Sequence, residues 1–382
     1  MQTEYLGKEY DFVFDVDMED GKPPLKLPYN LSQNPYEAAT KFIQDNEAPI
    51  TSLDQVANFI IQNTQGATLG QGASAPSAPD PWGSENRYRP GEVNAAPNAP
   101  SIAPPPKVLP QKEYLSILVA RIPPIQKKII ELNKALISGG HKDVSLNPTE
   151  LSVLATLCKH LESSGATKTS QSVTGGLDLA IKLTTQWPYK DRLPGLDLLR
   201  LLAVAPETAT FQHPRGDNII DIIEQGILEQ QPPAENNVMM AVRGFGNLFE
   251  SAEGRVVAVK EFEKIQSIIS TAIASSTNRN LLVAATTVYI NYAVYFKTES
   301  STSFEHILAL LDSLSKILTS QNDSEVVYRA LVATGTLLTL DDEIKSAAKD
   351  VYGIGKSVDK AMSKAVDARI KNVAGEVRGL LK

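Results

Sequence analysis

Cysteine is almost missing from this 382-residue chain, and histidine occurs only four times. A lone Cys158 can form no intramolecular disulfide and no cysteine-based zinc site. His141, His160, His213 and His306 are scattered, and no H-E-x-x-H pattern brings two onto one helix face, so neither metal nor cofactor is expected. Long apolar runs are also lacking: no stretch reaches the roughly 20 residues that a membrane span requires. The opening MQTEYLGKEYDFVFDVDMEDG carries acids where a secretory leader needs a basic segment and then an apolar one. Excess positive charge is absent as well; the formal net charge is -7 and the pI about 5.3, which argues against a dedicated nucleic-acid binder. The expectation is a cytoplasmic and nuclear protein. With hydrophobic residues at 42%, it can still build sizeable cores.

Three textures follow one another. Residues 1–66 read as a small α+β unit. Tyr10, Phe12, Phe14 and Val16 alternate with Asp11, Val13, Asp15 and Asp17, the period of a strand with one buried face. Asp20-Gly21 supplies a turn and Leu25 and Leu27 a second short strand. Ser32 or Asn34 could cap a helix from Pro35, with Tyr36, Ala39, Phe42 and Ile43 on one face. A further helix is expected from Ser52, with Leu53, Val56, Phe59 and Ile60 aligned and Gly66 beyond its end. Residues 67–110 are rich in Ala, Pro, Ser, Gly and Asn, too polar to offset ordering entropy by burial, and read as a flexible linker. Pro104-Pro105-Pro106 favours polyproline II, a composition that would suit an SH3-type partner. The island Asp80-Pro81-Trp82 with Arg87-Tyr88-Arg89-Pro90-Gly91 suggests a docking motif or a contact with a neighbouring domain.

Residues 111–382 read as helix after helix. Apolar residues recur at helical spacing over 115–136, 148–161, 177–185, 193–204, 219–228, 238–249, 262–274, 280–296, 304–318 and 325–337. Arg200, Arg243 and Arg329 each stand inside an apolar helix, and similar helices return roughly every 40 to 45 residues, the period of armadillo and HEAT units. The helix between the last two carries Tyr289, Asn291 and Tyr292 instead. The fold class expected is therefore mainly α, an armadillo-like α-solenoid preceded by a small α+β segment and a linker. In such a solenoid one helix layer lines a concave groove.

Catalysis finds no support. Cys158 and His160, two apart on a helix, diverge by about 200° and cannot pair as nucleophile and base. Cys158 sits among Leu151, Leu154 and Leu157, the setting of a structural thiol. Gly70-Gln71-Gly72-Ala73-Ser74-Ala75 touches nucleotide-loop and nucleophile-elbow patterns, but no strand precedes it. Asp341-Asp342 and Glu19-Asp20 fit solvated turns and caps. An arginine in an apolar helix either snorkels, pairs within the domain or faces a ligand; recurrence favours the ligand. Arginine captures carboxylates bidentately, and Tyr289, Asn291 and Tyr292 could add stacking and backbone hydrogen bonds to an extended peptide. Residues 345–382 hold nine Lys and Arg against four Asp and Glu. An acidic peptide is the expected ligand class.

Three further stretches carry a resemblance. Residues 5–17, 25–30 and 53–64 (YLGKEYDFVFDVD, LKLPYN, LDQVANFIIQNT) resemble the C-terminal part of a PFU domain, the ubiquitin-binding module of the phospholipase A-2-activating protein family. The Asp80–Gly91 island is similar to the segment C-terminal to PFU in that family. LDLLRL at 196–201, RGFGN at 243–247 and RALVATGTL at 329–337 resemble that family's PUL domain. The family's WD-repeat propeller and the first half of PFU are expected before Tyr5, and neither is in the sequence. The resemblance implies an armadillo-like PUL fold that takes the acidic C-terminal tail of the AAA+ ATPase valosin-containing protein. By position Arg200 and Arg329 correspond to basic groove residues, with Arg243 and Asn247 beside them. Phe42 and Phe59 match aromatic positions associated with ubiquitin, although both also fall on amphipathic faces. The implied function is a non-enzymatic adaptor of the ubiquitin–proteasome pathway; a general solenoid scaffold for another acidic peptide is the alternative.

Overall fold

The alternating stretch becomes the strand Phe12–Val16 (β3), paired antiparallel to Leu25–Tyr29 (β4) with Phe14 opposite Leu27. A smaller pair, Thr3–Tyr5 (β1) and Lys8–Tyr10 (β2), precedes it. The helices Pro35–Asp45 (α1) and Leu53–Thr64 (α2) come next. They pack Ala39, Phe42, Ile43, Val56, Ala57 and Ile60 with Val16, Leu27 and Tyr29 into one small core. Phe12 and Phe14, read as a buried face, are only half-buried, because this two-stranded layer is too small to cover both.

The computed structural model describes residues 3–5, 8–16, 25–30, 33, 35–46, 53–64, 107–163, 173–299 and 303–382. The chain divides into two units, Met1–Pro105 and Pro106–Lys382. The turn at Asp20-Gly21, the caps Ser32 and Asn34, and nearly all of the 67–110 stretch, with its aromatic island and proline run, lie outside the described residues.

The second unit is helical. In chain order come Ile122–Ser138 (α3), Pro148–Ser163 (α4), Gly176–Thr185 (α5), Leu193–Leu202 (α6), Pro206–Ala209 (α7), Ile219–Leu228 (α8), Glu235–Asn247 (α9) and Ala252–Lys260 (α10). Phe262–Ile273 (α11), Arg279–Thr298 (α12), Phe304–Ser320 (α13), Ser324–Leu338 (α14), Asp342–Asp350 (α15), Ile354–Lys364 (α16) and Ala368–Leu380 (α17) complete it. Short polar residues start many of them: Asn218 forms a reciprocal box with Asp221, and Asn278, Ser303, Asp323, Asp341 and Asp367 each accept backbone N–H bonds. The helices α6, α9, α12, α14 and α17 pack one against the next as an inner layer, with α5, α8, α13 and α16 among those behind. The centre of that layer, α12, is buried almost all round, which is why its sequence is apolar on every face.

One expected helix is corrected. Residues 115–121 are extended, and the helix begins only at Ile122. Pro123 and Pro124 account for this: proline fits the first turn, where its missing N–H needs no partner, but breaks a helix that places it deeper. The second unit also begins earlier than residue 111, because Val108 and Leu109 are held by α17.

Candidate peptide-binding groove

The extended stretch 107–121 crosses the inner layer from its last helix to its first. Glu376 on α17 accepts the N–H groups of Val108 and Leu109 at 2.9 and 3.0 Å, and Thr336 on α14 accepts that of Gln111 at 3.0 Å. Asn291 on α12 spans one residue, accepting the N–H of Leu115 and donating to its carbonyl, both at 2.8 Å. Asn247 on α9 does the same for Ile117 at 2.6 and 3.1 Å. Alternate residues are gripped because an extended chain turns every second peptide group to the same side. Both asparagines are fully buried, and each amide also donates to the neighbouring inner helix, to Arg200 O and Gly246 O.

Arg200 completes the row. Its guanidinium is 2% exposed, pairs with Asp197 at 2.6 Å, and donates to the carbonyls of Ile117 and Val119 at 2.5 and 2.9 Å. Together these side chains make nine hydrogen bonds to one segment's backbone. At a net of about 0.5–1.5 kcal/mol each they stabilise it by several kcal/mol, against the entropy of ordering it. Tyr114 adds a ring contact to Phe249 and lies under the Arg255 guanidinium at 4.8 Å. The rungs expected to read a foreign peptide are thus filled by the chain itself.

Arg243 stands apart. One helical turn before Asn247, it is half-buried with its Nε covered, and among the described residues it has neither an ion pair nor a hydrogen bond. Burial, then repulsion from Arg200, push its pKa below the ordinary guanidinium range, while Asp197 acts in the opposite direction. Its Nε is shut off from solvent, and the cation of Arg200 and the carboxylate of Asp197 act on it in opposite directions. Arg329 is different: 7% exposed, it binds Glu325 at 2.7 Å and donates to Thr287 at 2.8 Å. Arg369 shares that carboxylate at 3.4 Å. Of the three roles open to an arginine in an apolar helix, Arg200 and Arg329 both show internal pairing.

Two expected groove residues belong to the core. Tyr289 and Tyr292 are 0% exposed. Tyr292 donates to Ala258 O and meets Phe249 and Phe262 edge to face, while the Tyr289 hydroxyl faces Gln266 and Ser313. A residue three or four positions from Asn291 shares its helix face, whereas its immediate neighbours turn into the packed interior. Cys158 is 1% exposed, and burial, with Glu162 adding, pushes its thiol up to about 11. Among the described residues no group of His, Cys, Asp and Glu is arranged to hold a metal, and no helix is long and apolar enough to cross a membrane. Thr336 and Glu376 escaped sequence reasoning, since nothing local marks a threonine or glutamate that grips a segment more than 200 residues away.

In the first unit Phe42 is 4% exposed and lies in the core. Phe59 is half-buried and meets Phe14 edge to face at 5.5 Å, with Phe12 stacked on Phe14 at 5.4 Å. Phe12, Phe14 and Phe59 therefore form the partly open aromatic row of this unit.

Comparison with known proteins agrees with both units. The profile of the PUL domain matches residues 109–376, and that of PFU (PLAA family ubiquitin binding) matches residues 1–68. Ubiquitin homeostasis protein lub1 of Schizosaccharomyces pombe is 28% identical over 91% of this chain and 43% of its own length. Protein DOA1 of Saccharomyces cerevisiae is 28% identical over 92% and 44%, and the phospholipase A-2-activating protein of Xenopus laevis 29% over 96% and 48%. The chain thus spans less than half the length of these relatives, and no WD-repeat region is evident in it. A crystal structure of PUL and PFU domain superposes with a TM-score of 0.53 at 23% identity, covering 99% of this chain and all of that one. The PFU–PUL domain pair of Saccharomyces cerevisiae Doa1/Ufd3 does so at 0.50 and 24%, with the same coverage. A PFU module followed by a helical PUL domain, in the order shared with these relatives, places this chain in the phospholipase A-2-activating protein family.

Proposed function

We propose that this chain is a non-enzymatic adaptor of the ubiquitin pathway. Its PFU unit binds ubiquitin, and its PUL domain takes an acidic peptide, the C-terminal tail of the AAA+ ATPase valosin-containing protein. The observation that carries the peptide half is Arg243, a half-buried guanidinium without a carboxylate partner among the described residues, beside a segment already held in extended form. A carboxylate arriving there would relieve its burial and its repulsion from Arg200 at once. The ubiquitin half rests on the PFU match and on the partly open row Phe12, Phe14 and Phe59. The name of the Schizosaccharomyces pombe relative, a ubiquitin homeostasis protein, supports the same pathway.

Calorimetric titration of the full chain with the acidic tail peptide tests the first half. Arg243→Gln is expected to weaken binding about tenfold or more with the melting temperature unchanged, the range of a charge-assisted contact. Unchanged affinity would remove Arg243 from the site. For the second half, ubiquitin is titrated against labelled chain by NMR. Phe59→Ala should reduce the shifts while the unit stays folded, whereas Phe42→Ala should unfold it, because a buried phenylalanine costs about 3–5 kcal/mol to truncate. Shifts indifferent to Phe59 would place ubiquitin elsewhere.

A further inference from the structure

The basic C-terminal stretch gathers most of its cations on the back of the helical unit. From Val351 to Lys382 there are seven Lys and Arg against three Asp and Glu, in a chain whose net charge is -7. All three acids are engaged: Asp359 pairs with Arg378 at 3.1 Å, Asp367 with Arg369 at 2.8 Å, and Glu376 holds the N–H groups of Val108 and Leu109. Lys364 donates to the neutral amide of Asn322. Among the described residues Lys356, Lys360, Lys371 and Lys382 are exposed without a carboxylate partner.

Helical geometry brings these cations onto one surface. Lys356, Lys360 and Lys364 recur at every fourth position of α16 and run as a stripe along its outer side. Ile354, Ser357, Val358 and Ala361 fill the other side, where α13 and α17 pack. At about 100° per residue, Lys371, Arg378 and Lys382 fall within about 40° of one another on α17, on the side away from Glu376. Arg378 reaches across to Asp359 and so joins the two sets. Gly375 and Gly379, where an added Cβ would meet nothing within 4 Å, keep that flank of α17 low.

A row of surface lysines is ordinarily a solvated face and would say nothing alone. This one has apolar ends. Among the described residues the two most exposed large hydrophobic side chains are Val366, at 93%, and Val351, at 72%, and they stand at the two ends of α16. Removing either from water would be favourable. Lysine also outnumbers arginine here. A compact ammonium on a flexible stem suits a plane of many anionic groups better than one fixed carboxylate, and its stem can lie along apolar material while the head stays wet.

We infer that this surface lays the chain on an anionic phospholipid bilayer. The helix α16 lies flat against the headgroups with its lysines among the anionic groups, and Val351 and Val366 enter the boundary beneath them. The acidic remainder of the chain is repelled by the same membrane and turned away from it.

The test is co-sedimentation of the full chain with vesicles of phosphatidylcholine alone, or with one part phosphatidylserine to two of phosphatidylcholine. Sedimentation is expected with the anionic vesicles only. It should be lost as salt rises from about 0.1 M to about 1 M, which shortens the screening length from about 10 Å to about 3 Å. At about fivefold for each lysine near the surface, the combined Lys356→Gln, Lys360→Gln and Lys364→Gln variant should bind about a hundredfold more weakly. Val351→Gln with Val366→Gln should weaken binding several-fold at unchanged net charge. All five positions are exposed, so both variants should keep the wild-type circular dichroism and melting temperature. A wild-type chain that stays in solution with anionic vesicles overturns the proposal; its retention on immobilised polyglutamate would then mark the surface as a seat for an acidic protein. Sedimentation undiminished by the lysine variant overturns it by placing the contact elsewhere. Loss with the lysine variant but none with the valine pair overturns the seating of α16 in the boundary and leaves diffuse adhesion.

Discussion

Gly335 is the position where the fold is most exposed to a one-carbon perturbation. It lies inside α14, and a Cβ built there would stand 2.1 Å from Leu109 Cδ1, 2.8 Å from Cδ2 and 3.0 Å from Cγ. Leu109 cannot retreat as a unit, because its N–H is bound to Glu376 and the neighbouring Val108 and Gln111 are bound to Glu376 and Thr336. Its side chain must leave the helix face instead. That forfeits part of a leucine's burial, about 1.5–3 kcal/mol when complete. Against it stands the gain of alanine over glycine in a helix interior, about 1 kcal/mol. The net expectation for Gly335→Ala is a loss of at most about 0.5–2 kcal/mol, or roughly 1–6 °C in melting temperature for a unit of this size. In a Leu109→Ala background the obstruction is gone and the same change should be neutral or stabilising. The double-mutant cycle, read by urea denaturation and circular dichroism, therefore has a coupling of opposite sign to each single loss. A Gly335→Ala protein more stable than wild type, or an equal change in both backgrounds, would refute the seat of Leu109 against α14.

Three other outcomes are expected. The Asp221 carboxyl lies below its ordinary range although burial would raise it, because Lys264 and the N–H of Asn218 bind the ionised form. A depressed carboxyl stabilises the fold above its unfolded value of about 3.9 and loses that contribution as pH falls through the folded pKa; Asp221→Asn should therefore flatten the acid limb of the stability–pH curve and, because Asp221 is the chief partner holding Lys264 above its ordinary range, weaken the alkaline limb as well. Cys158, with its thiol near 11 and buried, should resist a thiol reagent at pH 8 until denaturant is added, and native labelling at the denatured rate would contradict its burial. Arg329→Ala leaves Glu325 with a weakened partner set inside the domain and should cost about 3–5 kcal/mol in urea unfolding, so that any binding defect in that variant reports folding first.

Periodicity and turn chemistry carried the architecture. The strand over 12–16, the two helices of the first unit and nearly every long helix of the second were legible because each rests on local facts: alternation, 3.6-residue spacing, caps and prolines. The interval of roughly 40 to 45 residues between similar inner helices was legible too, since a repeat must bury the same face each time. With a single cysteine, the composition also left no intramolecular disulfide and no metal site built from several cysteines.

Tertiary structure decided what each groove residue does. Arg200, Arg243 and Arg329 look alike in sequence, yet one holds the chain's own backbone, one stands without an anion among the described residues and one is locked to Glu325. Tyr289 and Tyr292 flank Asn291 in sequence but turn into the core, while Asn291 turns to the groove. The stretch 115–121 is apolar enough to read as helix; besides the prolines that follow it, the Asn and Arg row, drawn from helices more than 80 residues away, holds its backbone out of helix. Local pattern fixes which elements form, because their hydrogen bonds close within a few residues. Which polar group faces which is settled by packing between distant segments, where burial forces every donor and acceptor to find its partner.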